Sequence, residues 1–151
     1  MQKGRQLLEE KIALITGGGR GIGKSVALAF AREGADIVIT ARTDAQLNTV
    51  AEEIKSLGRA CVAIAADISV DKDVERVFKD AFDEFGRVDI LVNNAGIAID
   101  GAFVEISMED WDRTINVNLR GAALCTKAAL SDMLKRGEGG IINIASAAGV
   151  R

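Results

Sequence analysis

The chain has 151 residues, of which 48% are hydrophobic and 27% charged, a composition that indicates a globular protein and argues against disorder. Its net charge of −3 offers no basic face for nucleic acid, and no apolar run reaches the roughly 18 residues of a membrane-spanning helix. The absence of histidine and tyrosine excludes Ser–His and Cys–His nucleophile pairs, and two cysteines alone cannot form a zinc cluster. We therefore expect a cytoplasmic protein of one domain, residues 1–151, that binds no nucleic acid, membrane or metal.

Short apolar runs alternate with longer segments whose apolar side chains recur at helical spacing. In chain order these patterns predict a strand at 12–16, a helix at 21–33, a strand at 35–40, a helix at 44–57, a strand at 61–65, a helix at 70–85, a strand at 88–92, a long helix or helix pair at 108–136, and a strand at 141–145. Thr43 and Gln46 form a predicted capping box, and Ser69 and Ser107 are predicted helix caps.

The predicted strands are apolar throughout, and each of the first four is followed by a helical pattern. This arrangement is typical of a parallel sheet covered by helices on both faces. Right-handed crossovers then predict an α/β fold with a doubly wound parallel sheet in strand order 3-2-1-4-5. We expect a ligand to bind beyond the carboxyl ends of strands 1 and 4, where the strand order reverses.

A glycine-rich loop, residues 16–25, follows the first strand and fits two patterns that bind phosphate. The phosphate-loop pattern of nucleotide hydrolases matches Gly18, Gly23, Lys24 and Ser25. The pattern T-G-x-x-x-G-x-G matches Thr16, Gly17, Gly21 and Gly23. Both patterns cradle phosphate oxygens with backbone N–H groups at a helix N-terminus, so the loop alone does not distinguish them, and a tight turn that binds nothing is a third alternative. A hydrolase would also need an acidic residue for Mg²⁺, for which Asp67 is a candidate.

Further motifs occur at fixed places along the chain, and together they carry a family resemblance. They are TGGGRGIG at 16–23, Asp67 after the third strand, NNAG at 93–96, Asn118 within INVN, and Ser146 after IINIA. In this order and spacing the sequence resembles the short-chain dehydrogenase/reductase family from about Lys11 to Arg151. The resemblance implies a Rossmann-type fold and an oxidoreductase that transfers hydride between a nicotinamide cofactor and a carbonyl or secondary alcohol. Among family members the chain looks most like 3-oxoacyl-thioester reductases and sugar dehydrogenases.

The resemblance also implies roles for individual residues. The cofactor-binding positions are Gly17, Gly19, Arg20, Gly21, Ile22 and Gly23 at the pyrophosphate, Asp67 and Ile68 at the adenine, and Asn93, Ala95 and Gly96 beside the adenosine ribose. Ser146 would hold and polarise the substrate carbonyl, and Asn118 would position a relay water. The alternatives are that NNAG only forms a strand-ending turn, and that Asp67 is a solvated residue before a helix.

Cofactor preference is set at the end of the second strand, where an NAD enzyme usually carries an acidic residue that binds the ribose hydroxyls. Here that position is Ala41, followed by Arg42. Arg42 can grip a 2′-phosphate, and Arg20 in the glycine loop adds a second positive charge. We therefore predict NADP(H) in preference to NAD(H), although surface arginines are often simply solvated.

The family completes its active site with Tyr-x-x-x-Lys, which this sequence does not contain before it ends at Arg151. The chain therefore resembles the N-terminal part of such an enzyme, with the dinucleotide-binding domain incomplete at its C-terminus and the last strands missing. Three functions remain open: a carbonyl reductase or alcohol dehydrogenase, a catalytically silent dinucleotide-binding fragment, and a nucleotide hydrolase. The resemblance also implies that the full-length form is a homo-oligomer, a dimer or tetramer.

Overall fold

A computed structural model of the chain describes residues 6–146. Its elements are β1 (Ile12–Thr16), α1 (Gly21–Arg32), β2 (Asp36–Ala41), α2 (Asp44–Ser56), β3 (Cys61–Ala65), α3 (Asp71–Phe85), β4 (Ile90–Asn93), α4 (Met108–Ile115), a π-helical turn (Asn116–Gly121), α5 (Ala122–Arg136) and β5 (Gly140–Asn143). Each predicted strand is present, with its ends shifted by no more than two residues.

The five strands form one parallel sheet in the order β3-β2-β1-β4-β5, which confirms the predicted topology. In the centre of the sheet, Leu14 of β1 lies between Val38 of β2 and Leu91 of β4. All five residues of β1 are buried, as expected for the central strand of a sheet with helices on both faces. The carboxyl ends of the strands therefore meet along one edge of the sheet.

Two hydrophobic clusters cover the two faces of the sheet. One face packs against α1 and α2, through side chains that include Ala27, Leu47 and Ile54. The other face packs against α3 and α5, through side chains that include Phe78 and Met133. None of the helices within residues 6–146 is long and apolar enough to cross a membrane.

The predicted caps of α2 and α3 are wrong, whereas that of α4 is confirmed. Thr43 is at the N-cap position of α2, but its side chain makes no capping hydrogen bond. The N-cap of α3 is Val70, because the Ser69 hydroxyl instead donates to Asp67 Oδ1 at 2.7 Å. Ser107 Oγ accepts the Asp110 N–H at 3.0 Å, as a helix cap should.

The predicted long helix is interrupted by the π-helical turn Asn116–Gly121, which we call the π-turn. Short π-helical segments are rare and occur frequently at functional sites. Here the turn lies against the carboxyl edge of the sheet, since Gly121 packs closely on Ile68, just beyond β3.

At the opposite, amino edge of the sheet, the Asp89 carboxylate joins the starts of β1 and β4 to the end of α5. Its Oδ2 accepts the Ile12 N–H at 2.9 Å and Arg87 Nε at 3.0 Å, and its Oδ1 accepts Arg136 Nη1 at 3.0 Å. The side chain is only 4% exposed. Burial alone would raise the pKa of Asp89, but the hydrogen bonds from Ile12 and Arg87 and the charge of Arg136 lower it overall.

We expect Asp89→Asn to lower the free energy of unfolding by about 2–4 kcal/mol. The substitution removes the buried negative charge that pairs with Arg87 and Arg136, and it disturbs the hydrogen bond from the Ile12 N–H. A carboxyl whose pKa is lowered on folding stabilises the protein above its ordinary pKa of 3.8, and this contribution is lost as the pH falls through the folded value. The difference between Asp89→Asn and wild type should therefore be constant near neutral pH and shrink below about pH 4. Urea unfolding followed by circular dichroism at several pH values measures both effects.

The matched control is Asp112→Asn, since Asp112 is exposed on α4 and forms no ion pair with any other residue in 6–146. This change should alter stability by less than about 0.5 kcal/mol. Equal effects of the two substitutions would show that the Asp89 cluster does not stabilise the sheet.

Candidate functional site

A cavity of about 440 Å³ opens at the carboxyl edge of the sheet, next to the ends of β1, β2, β3 and β4. This is the edge where we expected a ligand, because the strand order reverses between β1 and β4. Among the predicted cofactor-binding residues, those that line the cavity are Gly17, Gly19, Arg20, Gly21, Ile22, Arg42, Asp67, Ile68, Ala95 and Gly96. The structure thus brings together three separate sequence motifs around one cavity.

Thr16, the last residue of β1, ties the glycine loop to the segment after β4. Its buried hydroxyl accepts the N–H groups of Asn94 and Ala95, each at 3.0 Å, and donates to the Val92 carbonyl at 3.4 Å. In return, Asn94 Nδ2 donates to the carbonyls of Thr16 at 3.0 Å and Gly17 at 3.3 Å. These bonds fix the floor of the cavity before any ligand arrives.

Two glycines of the loop are required by its geometry. Gly17 has φ +67°, a left-handed conformation that favours glycine. A Cβ on Gly23 would lie 2.2 Å from the Gly17 carbonyl oxygen, which is far inside van der Waals contact. The first turn of α1 can therefore approach the loop only without a side chain at position 23. Gly21 and Ile22, at the start of α1, line the cavity, and a helix N-terminus favours anions.

The residues that match the phosphate-loop pattern do not face the cavity. Lys24 Nζ forms an ion pair with Glu53 Oε1 at 2.7 Å, on the side of α2. Ser25 Oγ donates to the Gly21 carbonyl at 3.1 Å, within α1. A phosphate-loop hydrolase needs this lysine on the phosphates and this hydroxyl on Mg²⁺, so the arrangement argues against that alternative.

Asp67 and Ile68 form the cavity wall beyond β3. Asp67 Oδ1 accepts both the N–H of Ser69 at 2.9 Å and its hydroxyl at 2.7 Å. The Asp67 N–H donates to Asp73 Oδ2 at 2.7 Å, and this bond is the main cause of the lowered pKa of Asp73. The half-buried Asp67 is thus held in a turn by hydrogen bonds, and it lines the cavity.

Arg20, in the glycine loop, and Arg42, just after β2, both line the cavity. Both side chains are exposed, and neither forms an ion pair with another residue in the part of the chain that the structure describes. Two cations without anionic partners beside one cavity are suited to a ligand that carries phosphate. The rim of the cavity therefore carries positive charge next to the end of β2.

Within the NNAG motif, Asn94 rather than Asn93 lines the cavity. Asn93 is buried and donates from Nδ2 to Thr126 Oγ1 at 3.0 Å and to Asn143 Oδ1 at 2.9 Å, between β4, β5 and α5. The Asn93 side chain, at the end of β4, is thus taken up by α5 and β5, whereas Asn94, just after the strand, lies at the cavity. The sequence pattern offered no means of choosing between them.

The two predicted catalytic residues do not line the cavity. Asn118 lies in the π-turn, and its side-chain amide makes two hydrogen bonds with the backbone of Ile97. Its Oδ1 accepts the Ile97 N–H and its Nδ2 donates to the Ile97 carbonyl, each at 2.8 Å. Ser146 is exposed and follows β5, whose Asn143 is paired with Asn93 of β4. Both residues are therefore at the carboxyl edge of the sheet, beyond β4 and β5.

The two cysteines are not candidates for a nucleophile or proton donor. Cys61 and Cys125 are buried, and burial raises the pKa of each thiol to about 12. Both thiols are therefore protonated and inert at neutral pH. Within residues 6–146, no group of three or more His, Cys, Asp or Glu side chains could hold a metal ion.

Comparison with known proteins gives the same family as the motifs do. Residues 11–151 match the family model for short chain dehydrogenase. The chain is 42% identical over 144 residues to a 3-oxoacyl-[acyl-carrier-protein] reductase from Synechocystis, covering 95% of this chain and 58% of the relative. It is 43% identical over 141 residues to a (2S)-[(R)-hydroxy(phenyl)methyl]succinyl-CoA dehydrogenase subunit from Thauera aromatica, covering 93% of this chain and 57% of the relative.

A solved structure has the same fold. A short-chain type dehydrogenase/reductase from Mycobacterium marinum superposes with a TM-score of 0.91 at 38% identity, covering 95% of this chain and 57% of that one. The chain thus spans less than three-fifths of the length of each of these proteins.

Proposed function

The chain belongs to the short-chain dehydrogenase/reductase family, and from this premise we propose that the whole protein is an NADP(H)-dependent oxidoreductase that interconverts a carbonyl and a secondary alcohol. The observation that carries the proposal is the cavity at the carboxyl edge of the sheet, where the glycine loop, Asp67 and the exposed side chains of Arg20 and Arg42 meet. A bound nicotinamide cofactor would supply or accept the hydride.

Different groups around the cavity suit different parts of a dinucleotide. The N-terminus of α1, with the backbone at Gly21 and Ile22, would bind the pyrophosphate, because its N–H groups and helix dipole favour anions. The Asp67 carboxylate would accept a hydrogen bond from the adenine amino group. Arg20 and Arg42 would hold the 2′-phosphate that distinguishes NADP(H) from NAD(H).

The reacting end would lie nearer Ser146 and Asn118, beyond β4 and β5. The Ser146 hydroxyl would donate a hydrogen bond to the substrate carbonyl oxygen, which becomes more negative as hydride arrives at carbon. Asn118 holds the Ile97 backbone and so fixes the segment after NNAG, next to where the substrate would enter. The proton donor would be the tyrosine of Tyr-x-x-x-Lys, which the family resemblance places after Arg151.

For the substrate we propose a 3-oxoacyl thioester. The Synechocystis relative is named for 3-oxoacyl groups on acyl-carrier protein, and the Thauera relative for a CoA derivative. Both relatives match more than nine-tenths of this chain, at 42% and 43% identity.

We also propose that the whole protein is a homo-oligomer. Large apolar side chains are exposed along α4, the π-turn and α5, namely Met108, Trp111, Ile115, Leu119, Leu130 and Leu134. Leu134 is 75% exposed. Exposed apolar side chains in such number favour burial against another chain or a further segment.

Arg42→Ala in the whole protein should weaken NADPH binding by about 1.5–3 kcal/mol, the range for a hydrogen bond to a charged group, and leave NADH binding almost unchanged. Adding Ala41→Asp should reverse the preference, because a carboxylate repels the 2′-phosphate and accepts bonds from ribose hydroxyls. Titrations of both cofactors with wild type, the single variant and the double variant, followed by nicotinamide fluorescence, give the six affinities.

Arg113→Ala is the matched control, since Arg113 is an exposed arginine of α4 that does not line the cavity. It should leave both affinities unchanged. Equal losses for NADPH and NADH in Arg42→Ala would show that Arg42 supports the fold and does not recognise the phosphate.

A further inference from the structure

The π-turn contacts both walls of the cavity, although only Val117 of its six residues lines it. On one side Asn118 holds Ile97, just after the NNAG motif. On the other side Arg120 and Gly121 contact the turn that carries Asp67. One irregular helical turn therefore bridges the two walls of the cavity.

Arg120 reaches Asp67 through Ser69. Its Nη1 donates to the Ser69 carbonyl at 3.2 Å, and its Nη2 forms an ion pair with Asp71 Oδ1 at 2.7 Å. Ser69 in turn donates both its N–H and its hydroxyl to Asp67 Oδ1. The Arg120 and Asp71 side chains are 46% and 54% exposed, so this ion pair contributes little to global stability. Its effect is to fix the turn from Asp67 to Asp71.

Gly121 allows the π-turn to lie directly against this wall. A Cβ at position 121 would lie 2.8 Å from Ile68 Cδ1 and 3.0 Å from the Ile68 carbonyl oxygen. Any side chain there would clash with Ile68, the residue next to Asp67, unless one of the two segments shifted. The absence of a side chain at Gly121 and the guanidinium of Arg120 therefore act on the same short segment.

We propose that Arg120 and Gly121 are positioning residues that hold the Asp67 carboxylate where it recognises the amino group of adenine. The inference rests on the proposed dinucleotide function and adds residues that touch no part of the cofactor. Asp67 can discriminate adenine only if its second carboxylate oxygen keeps a fixed direction, because hydrogen bonds weaken steeply with misalignment. Ser69 holds one oxygen, and Arg120 holds Ser69.

The test compares NADP⁺ with nicotinamide hypoxanthine dinucleotide phosphate, in which an oxygen replaces the adenine amino group. The wild-type whole protein should bind NADP⁺ about tenfold more tightly or better, as expected for one hydrogen bond to a charged group. Arg120→Met should reduce this ratio to below about threefold, since the carboxylate direction is no longer fixed. Arg113→Met, on the neighbouring helix, is the matched control and should keep the wild-type ratio.

The ratio separates positioning from general damage, because partial unfolding weakens both nucleotides equally. Arg120→Lys retains one charged donor and should give an intermediate ratio. If Arg120→Met fails to fold, Arg120→Lys serves as the test in its place. A wild-type ratio in Arg120→Lys then overturns the inference. A wild-type ratio in folded Arg120→Met, or equal affinity of the wild type for both nucleotides, also overturns it while the proposed function stands. Absence of saturable binding of either nucleotide to the wild type overturns the proposed function itself.

Discussion

Ser146→Ala in the whole protein is expected to lower kcat for carbonyl reduction by about 10²–10³-fold, the usual effect of removing one oxyanion donor. The hydroxyl is proposed to stabilise charge that appears on the carbonyl oxygen only as hydride is transferred. Substrate and cofactor binding depend on other groups, so KM and the affinity for NADPH should change little. Steady-state kinetics with a 3-oxoacyl thioester and NADPH give kcat and KM separately.

Ser131→Ala is the matched control, because Ser131 is an exposed serine of α5 whose hydroxyl donates to the Ala128 carbonyl at 2.9 Å and does not line the cavity. It should retain wild-type kcat. A fall in NADPH affinity with unchanged kcat in Ser146→Ala would show that Ser146 belongs to the cofactor site and not to the reacting carbonyl.

The second large effect concerns the 151-residue chain assayed by itself, which should reduce carbonyls at least about 10²-fold more slowly than the whole protein. Hydride transfer leaves an alkoxide that needs a proton, and this chain has no tyrosine or histidine to donate one. Its two thiols are buried with pKa raised to about 12, and a serine hydroxyl is a weak acid. NADPH binding should survive in part, since the residues lining the cavity all lie within positions 17–117.

The measurement is NADPH oxidation by the chain against a panel of ketones and 3-oxoacyl thioesters, with NADPH binding measured on the same sample. The Ser146→Ala form of the chain is the control. Turnover comparable to that of the whole protein, lost in Ser146→Ala, would contradict the expectation and identify another acid within this chain.

The sheet could be predicted from the sequence because burial on both faces leaves a clear pattern. Runs such as Ile12–Thr16 are apolar at the first four positions and buried at all five, and this run is bounded by Lys11 and Gly17. Parallel pairing and the strand order follow from the alternation with helices and from the right-handed crossover. Neither inference depends on any single contact.

Local hydrogen bonds were harder to predict, since one polar side chain often has two possible partners nearby. The Ser69 hydroxyl could cap α3 or bond to Asp67, and it bonds to Asp67 because that carboxylate also receives the Ser69 N–H. Thr43 occupies the expected N-cap position but its side chain makes no cap. Such choices depend on differences of about 1 kcal/mol, which sequence patterns do not resolve.

The site was predicted at the level of motifs and less well at the level of single side chains. Asn93 and Asn94 are adjacent in the sequence. Only the structure shows that the Asn93 side chain bonds to Asn143 of β5, whereas Asn94 lines the cavity. Arg120 and Gly121 carry no motif that pointed to the cavity. Their role depends on a π-turn, and a single irregular turn leaves the apolar spacing of the flanking helices almost intact.

The most direct test of the central claim is hydride transfer itself, measured with the whole protein, a 3-oxoacyl thioester and either NADPH or NADH. Loss of the reduced-nicotinamide absorbance is followed together with the amount of hydroxyacyl product. We predict one NADPH consumed for each hydroxyacyl thioester formed, with kcat/KM at least about tenfold higher for NADPH than for NADH, as one charged hydrogen bond to the 2′-phosphate would give. Product formation without NADPH consumption, or a preference for NADH, would contradict the account.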